Sequence, residues 1–239
     1  MNEDHRNIDP DEEKARSMLG PKFKAKYTTK PKDRKKLGTH HYYSNEPSTS
    51  KQKYVLRLCI KGHFIDLASA GGIFSKDKID LGTLVLLESL KLPSEGELLD
   101  MGTGYGIIGI TAAKLKPGLK VTMVDINPTA VKLTRENIES NGVSNAEAMH
   151  GDLYSCLGRR SFDAIVSNPP LAAGYGVIFP LIEGAPFHLK EGGYLQIVLR
   201  RGVNAIPKKM EAVFGNVELV SRKSGYKVFK SVKVLRPVL

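Results

Sequence analysis

The 239-residue chain predicts an α/β fold. The expected architecture is a doubly wound, mostly parallel seven-stranded sheet ending in an antiparallel hairpin, preceded by a separate N-terminal β-hairpin. Three observations predict it. Beyond residue 80, short apolar runs alternate with helical patterns, as expected for strands buried on both faces with helices between them. The first of those strands runs into a glycine turn that opens a helix, Gly102-Thr103-Gly104-Tyr105-Gly106. The last two runs meet at Ser224-Gly225, a hairpin turn.

In chain order, residues 1–40 read as a basic arm. Six acids (Glu3, Asp4, Asp9, Asp11, Glu12, Glu13) meet only Arg6 up to residue 13, and ten bases meet only Asp33 from 14 to 36. Phe23 and Tyr27 are interleaved with those bases. Pro10, Pro21, Pro31 and the lack of apolar periodicity predict a segment that is mobile on its own. Such an arm suits neutralising phosphates and stacking on unpaired bases; the same composition also makes a solubilising tail. Residues 54–60 and 64–67 flank Lys61-Gly62-His63 and read as a hairpin. Asp80 is placed to cap a helix that turns Leu84, Val85, Leu87 and Leu90 inward. Strands follow at 97–101, 120–125, 146–149 and 162–167, with Ile107, Ile108, Ile110, Ala112 and Ala113 forming the helix after the first. A helix over 177–189, a strand at 194–199 and a helix over 205–214 lead to the closing strands at 217–222 and 226–235.

The whole chain sets further bounds. Its formal charge is +11, with bases near the C-terminus (Lys208, Lys209, Arg222, Lys223, Lys227, Lys230, Lys233, Arg236) and at Arg200 and Arg201. A polyanionic partner is expected. Cys59 and Cys156, the two cysteines, have no metal-ligand spacing, and the histidines form no H-E-x-x-H cluster, so no metal is expected. No run is long and apolar enough for a membrane span, and the acidic start lacks a secretory signal pattern. A cytoplasmic protein is expected.

The glycine turn admits two readings. Gly104-Tyr105-Gly106-Ile107-Ile108-Gly109 matches the dinucleotide fingerprint, and Asp125 ends the next strand where a ribose-binding acid belongs. Against a dinucleotide stands Asp100, two residues before the first glycine, which would repel a pyrophosphate and suits a ligand bearing an ammonium group. The run Asp100-x-Gly102-x-Gly104-x-Gly106 resembles the cofactor loop of class I S-adenosylmethionine methyltransferases, whose core is Rossmann-like. That resemblance implies S-adenosylmethionine held by Asp100, Gly102, Thr103, Gly104, Tyr105 and Gly106. It also implies Asp125 on the ribose hydroxyls, with Ile126, Asn127, Asp152 and Leu153 around the adenine.

Asn168-Pro169-Pro170-Leu171 follows the 162–167 strand at the same sheet edge. The Asn168 side-chain oxygen and the Pro169 carbonyl are two uncharged acceptors suited to one exocyclic amine, and the prolines stiffen the loop. By itself the tetrapeptide also reads as a turn that ends a strand. With Gly72-Ile73-Phe74-Ser75-Lys76, Asp80-Leu81-Gly82-Thr83 and Val213-Phe214-Gly215-Asn216-Val217, the chain from His41 to Lys233 resembles the small-domain family related to the bacterial 16S rRNA guanine-N2 methyltransferases. On that resemblance residues 41–239 form a methyltransferase domain. Within it, 41–79 hold the hairpin and cofactor-covering segment, and 80–239 form the Rossmann-like core. Residues 74–83, with Phe74, Asp80 and Thr83, are then expected to close over the cofactor. Asn168, Pro169 and Pro170 are the implied catalytic loop, and Leu171, Tyr175, Arg200 and Arg201 the implied substrate contacts. Leu171 stands where many amino-methylating enzymes carry Tyr or Phe, which leaves Tyr175 to stack on the base.

The implied reaction is methyl transfer to an exocyclic nitrogen of RNA, guanine N2 of small-subunit rRNA first. A release-factor glutamine methyltransferase would use the same amide-presenting loop, though usually with Tyr after the prolines and a helical domain before them. A catalytically silent RNA-binding assembly factor is the third reading.

Overall fold

A computed structural model describes residues 23–26, 53–70, 79–170, 174–200 and 204–234. The elements are β1 (Phe23–Lys26), β2 (Lys53–Ile60), β3 (His63–Ala70), α1 (Leu81–Ser89), β4 (Glu95–Met101), α2 (Ile107–Leu115), β5 (Gly118–Asp125), α3 (Pro128–Ser140) and β6 (Ala146–His150). They continue with β7 (Phe162–Ser167), α4 (Tyr175–His188), β8 (Leu189–Leu199), α5 (Ala205–Phe214), β9 (Glu218–Lys223) and β10 (Tyr226–Val232). The main sheet has the order β6-β5-β4-β7-β8-β10-β9. β4, β5, β6, β7 and β8 pair in parallel, and β10 lies antiparallel between β8 and β9. This is the predicted α/β architecture.

Both faces of the sheet are covered, which is why its strands carry so few surface residues. Along β8, Leu195, Ile197 and Leu199 enter a core formed with α4 and α5, while Val198 enters the opposite core with α1, α2, α3 and the small sheet. β4 splits in the same way, with Leu98 on one side and Leu99 on the other. β8 begins five residues earlier than expected. Lys190-Glu191-Gly192-Gly193 lacks a strand pattern but gains backbone partners, Gly192 N to Lys233 O at 2.9 Å and Lys233 N to Gly193 O at 2.8 Å.

The N-terminal hairpin gains a third strand. Phe23–Lys26 pairs antiparallel with β2, Phe23 opposite Ile60 and Lys26 opposite Arg57. A ready strand edge on β2 supplies what local composition does not. The rest of residues 1–40 lies outside the described residues. Leu56, Leu58, Ile60, Ile65 and Leu67 point into the core, as the period of two requires. The hairpin docks through asparagines of α3. Asn137 Oδ1 accepts Ala68 N at 2.8 Å and its Nδ2 donates to Ala68 O at 3.0 Å; Asn141 does the same to Asp66 at 3.2 and 2.7 Å. Each amide takes the place of a neighbouring strand and satisfies an otherwise open edge. Among the described residues no helix is long and apolar enough to cross a membrane.

Candidate active site

The strand order reverses between β4 and β7, and in such sheets the connections diverge there and leave a crevice at the carboxyl edge. Ser167 Oγ, fully buried at the end of β7, donates to Met101 O at 2.8 Å and joins the two walls. The glycine turn crosses from β4 towards β5: Gly102 N and Thr103 N both donate to Val124 O, at 2.8 and 3.1 Å. Gly102, Gly104 and Gly106 all have positive φ, 74°, 63° and 91°. A Cβ on Gly104 would meet nothing within 4 Å, so there it is the backbone angle that requires glycine. One on Gly106 would strike Thr134 at 2.8 Å, so that glycine also allows α2 to pack on α3.

The crevice encloses a cavity of about 280 Å³. Of the residues expected at a cofactor or catalytic site, it is lined by Thr83, Gly102, Thr103, Gly104, Tyr105, Asp125, Ile126, Asn127, Asp152, Leu153, Asn168, Pro169 and Pro170. Asp125 Oδ2 accepts Gly104 N at 2.8 Å and Oδ1 accepts Asn127 N at 2.8 Å. Each oxygen therefore holds a backbone amide and keeps acceptor capacity. Asn127 caps α3 by accepting Thr129 N at 2.9 Å, and Pro128 opens the helix. Ile126 is 62 % exposed, held by the His150 ring, whose Nε2 lies 2.9 Å from Ile126 O. Leu153 has φ of 48°, a strained angle for a bulky residue and of the kind that gathers at functional sites.

Asp100 departs from expectation. It is completely buried and does not line the cavity. Its Oδ2 accepts Thr103 Oγ1 at 2.6 Å and Gly109 N at 2.9 Å, bracing the turn from beneath, while Oδ1 is buried with no hydrogen-bond partner. Burial pushes its pKa up to about 6; the bonds from Thr103 and Gly109 pull downwards and the charge of Asp125 pushes further up.

Asn168 sits at the opposite wall, half-buried. Its Nδ2 donates to Asp80 Oδ2 at 2.8 Å and to Thr83 Oγ1 at 2.8 Å. Asp80 lies behind it, capping α1 by accepting Thr83 N at 3.0 Å. The Tyr226 ring packs against Gly82, and its hydroxyl pKa is raised by burial first and by the Asp80 charge second.

The other expected residues lie elsewhere. Gly106 forms the N-cap of α2. Tyr175 is exposed and stacks on Phe179 with ring centroids 5.0 Å apart, so it contributes no surface to the cavity wall. Arg200 is exposed, its guanidinium 5.8 Å from the Tyr226 ring centroid. Phe74, Leu171 and Arg201 lie outside the described residues. Among the cavity-lining residues that were not predicted as site residues are Ser167, Gly151 and Val177. Ser167 and Gly151 adjoin residues that were, and Val177 gives no signal beyond its place near the start of α4.

Comparison with known proteins places these features. The model of the methyltransferase small domain matches residues 65–230. The uncharacterized protein YbxB of Bacillus subtilis is 36% identical over 200 residues, 82% of this chain and 100% of its own length. Ribosomal RNA small subunit methyltransferase C of Aeromonas hydrophila is 40% identical over 164 residues, 67% of this chain and 47% of that protein. The chain thus spans about half the length of the C-type enzymes it matches. Among solved structures, a T. thermophilus 16S rRNA N2 methyltransferase in complex with AdoMet and guanosine superposes with a TM-score of 0.71. It is 27% identical, and the match covers 80% of this chain and 53% of that one.

Proposed function

Because the chain belongs to the methyltransferase small-domain family, we propose that it transfers a methyl group from S-adenosylmethionine to an exocyclic amino nitrogen of RNA, with guanine N2 in small-subunit rRNA as the target. The relatives named for this reaction support the target. The observation that carries the reading is Asn168: it lines the cavity and its amide donors are engaged by Asp80 and Thr83, which leaves its uncharged oxygen for an incoming amine.

The residues present fit the cofactor. Asp125 offers two oxygens with spare lone pairs to a ribose diol, Ile126 and Leu153 give apolar surface for a purine, and the open faces of Gly102 and Gly104 admit an amino-acid chain. S-adenosylmethionine supplies an electrophilic methyl on a sulfonium. The protein's part is positioning. Asn168 Oδ1 and the Pro169 carbonyl accept the two N–H groups of the target amine, which orients its lone pair and costs no reorganisation at the moment of reaction. The nitrogen becomes acidic only as it gains the methyl, so no strong base is required beforehand. The base must be unpaired or flipped, since its amine is engaged within a duplex.

The test uses labelled S-adenosylmethionine with wild type and Asn168→Ala, offered small-subunit rRNA, intact small subunits, transfer RNA and a release factor. N2-methylguanosine in rRNA, lost in the variant, is expected. Label in the release factor would move the chain to the glutamine-modifying class. An absence of label together with no cofactor binding would overturn the enzymatic reading.

A further inference from the structure

An asparagine amide can be turned over at almost no cost in shape, and the turned form would present donors to an amine that needs acceptors. What stops this in Asn168 is the chemistry of its partners. Nδ2 meets a carboxylate, Asp80 Oδ2, and a hydroxyl, Thr83 Oγ1, both at 2.8 Å; after a turn, the amide oxygen would face the carboxylate. We infer that Asp80 and Thr83 are positioning residues that lock the Asn168 amide with its oxygen towards the cavity. This inference rests on the methyl-transfer reading above.

The lock is held from several sides. Asp80 Oδ2 also accepts Thr83 N at 3.0 Å, so the helix cap and the amide lock share one atom. Tyr226, brought in by the C-terminal hairpin, packs its ring against Gly82, and the Arg200 guanidinium lies 5.8 Å from the ring centroid. Gly82 leaves room for that ring: a Cβ there would stand 2.6 Å from Tyr226 Cε1 and 2.8 Å from Asp80 Oδ2. The orientation of one side chain after β7 thus depends on the first turn of α1, against which a tyrosine of β10 is packed.

The experiment measures kcat and KM on protein-free small-subunit rRNA, and the Kd for S-adenosylmethionine by calorimetry. The proteins are wild type, Thr83→Val, Thr83→Ser and Asp80→Ser, the last keeping a helix-capping oxygen. Thr83→Val, nearly isosteric but without the acceptor, is expected to lower kcat about tenfold or more, as misplacement of a reacting group does. Cofactor Kd should stay within about twofold, by the same reasoning that only orientation is lost, and Thr83→Ser should restore the rate. In an Asn168→Ala background the Val substitution should have no further effect, since there is no amide left to orient. An additive loss there, or a Kd that weakens in step with kcat, would overturn the lock and make Thr83 a structural or cofactor contact.

A readout independent of turnover separates this inference from the methyl-transfer reading. In wild type the two Asn168 Nδ2 protons should exchange slowly with solvent by NMR, and each of Thr83→Val and Asp80→Ser should expose them. Fast exchange in wild type sinks the lock even if RNA is methylated. Slow exchange that the variants abolish sustains it even if the substrate proves to be something else.

Discussion

Replacing Asp100 by Asn tests a carboxyl buried beneath the glycine turn. The carboxyl is fully buried, one oxygen has no partner, and its pKa stands at about 6 against an ordinary 3.8. That difference corresponds to about 3 kcal/mol of destabilisation once the group is ionised. The direction follows from proton counting. Between about pH 4 and about pH 6 the folded protein keeps a proton that the unfolded chain has released, so stability falls as pH rises through this window and levels off above it. Asn cannot titrate, and every other group is shared, so the wild-type-minus-variant difference isolates Asp100. Urea unfolding of both proteins should show wild type losing about 3 kcal/mol relative to Asp100→Asn between about pH 4 and about pH 7. A difference that stays constant across that range would mean that this carboxyl titrates as in water, and the account of the turn braced on a buried acid would fail.

Other substitutions probe the remaining parts. Gly82→Ala should destabilise by about 1–3 kcal/mol, because its methyl enters the space of Tyr226 and Asp80 and overpacking has that range; urea unfolding measures it. Asp125→Ala removes the acceptor of both Gly104 N and Asn127 N, and calorimetry should show at least about tenfold weaker S-adenosylmethionine binding, the effect of one lost charged hydrogen bond. Asn137→Ala removes the side-chain partner of both Ala68 N and Ala68 O. It should cost about 1–3 kcal/mol for each group left dry and abolish slow hydrogen exchange at Ala68. Lys227 and Arg222 lie directly opposite in the β9–β10 register, like charges that weaken a hairpin. Lys227→Glu should therefore stabilise the fold by about 0.2–1 kcal/mol.

How legible each part was depended on where its partners lie. β7 and α5 appear at their predicted bounds, because Phe162-Asp163-Ala164-Ile165-Val166-Ser167 and the apolar spacing of Ile206, Met210 and Phe214 declare themselves locally. α3 was not predicted, although Asn127-Pro128 is a helix-start pair. Its buried face includes Thr134 and Asn137 beside Ala130, Val131 and Leu133, so the helix is amphipathic yet mostly polar and lacks the apolar run that marks the other elements. Asn137 is polar because it serves the backbone of β3, sixty-nine residues away, a contact no local window contains. β1 is similar: Phe-Lys-Ala-Lys alternates, but only the edge of β2 makes it a strand. Sheet order explains the site equally well. Chain position indicated that Asp100, Asp125, Asp152 and Asn168 would gather at one edge, yet not the direction of each side chain. Asp100 turns beneath the loop, and the Tyr175 ring pairs with Phe179 instead of facing the crevice.

The division of the crevice suggests how one scaffold separates binding from selection. The wall built by β4, β5 and β6 carries the glycine turn and Asp125, tied together by backbone hydrogen bonds that would serve any substrate. The opposite wall carries Asn168, whose partners come from the start of α1, against which Tyr226 of the antiparallel hairpin packs. The walls are joined by the parallel pairing of β4 with β7 and by the Ser167 bond to Met101 O, but the backbone amides that hold Asp125 belong to Gly104 and Asn127, not to the hairpin. Changes to the hairpin can therefore alter how the amine is presented while leaving the hold on Asp125 intact. This predicts that Tyr226→Phe, which removes the hydroxyl next to Asp80 but keeps the ring, lowers kcat with little effect on S-adenosylmethionine binding. Equal losses in the two would mean that the walls are coupled and that the division does not exist.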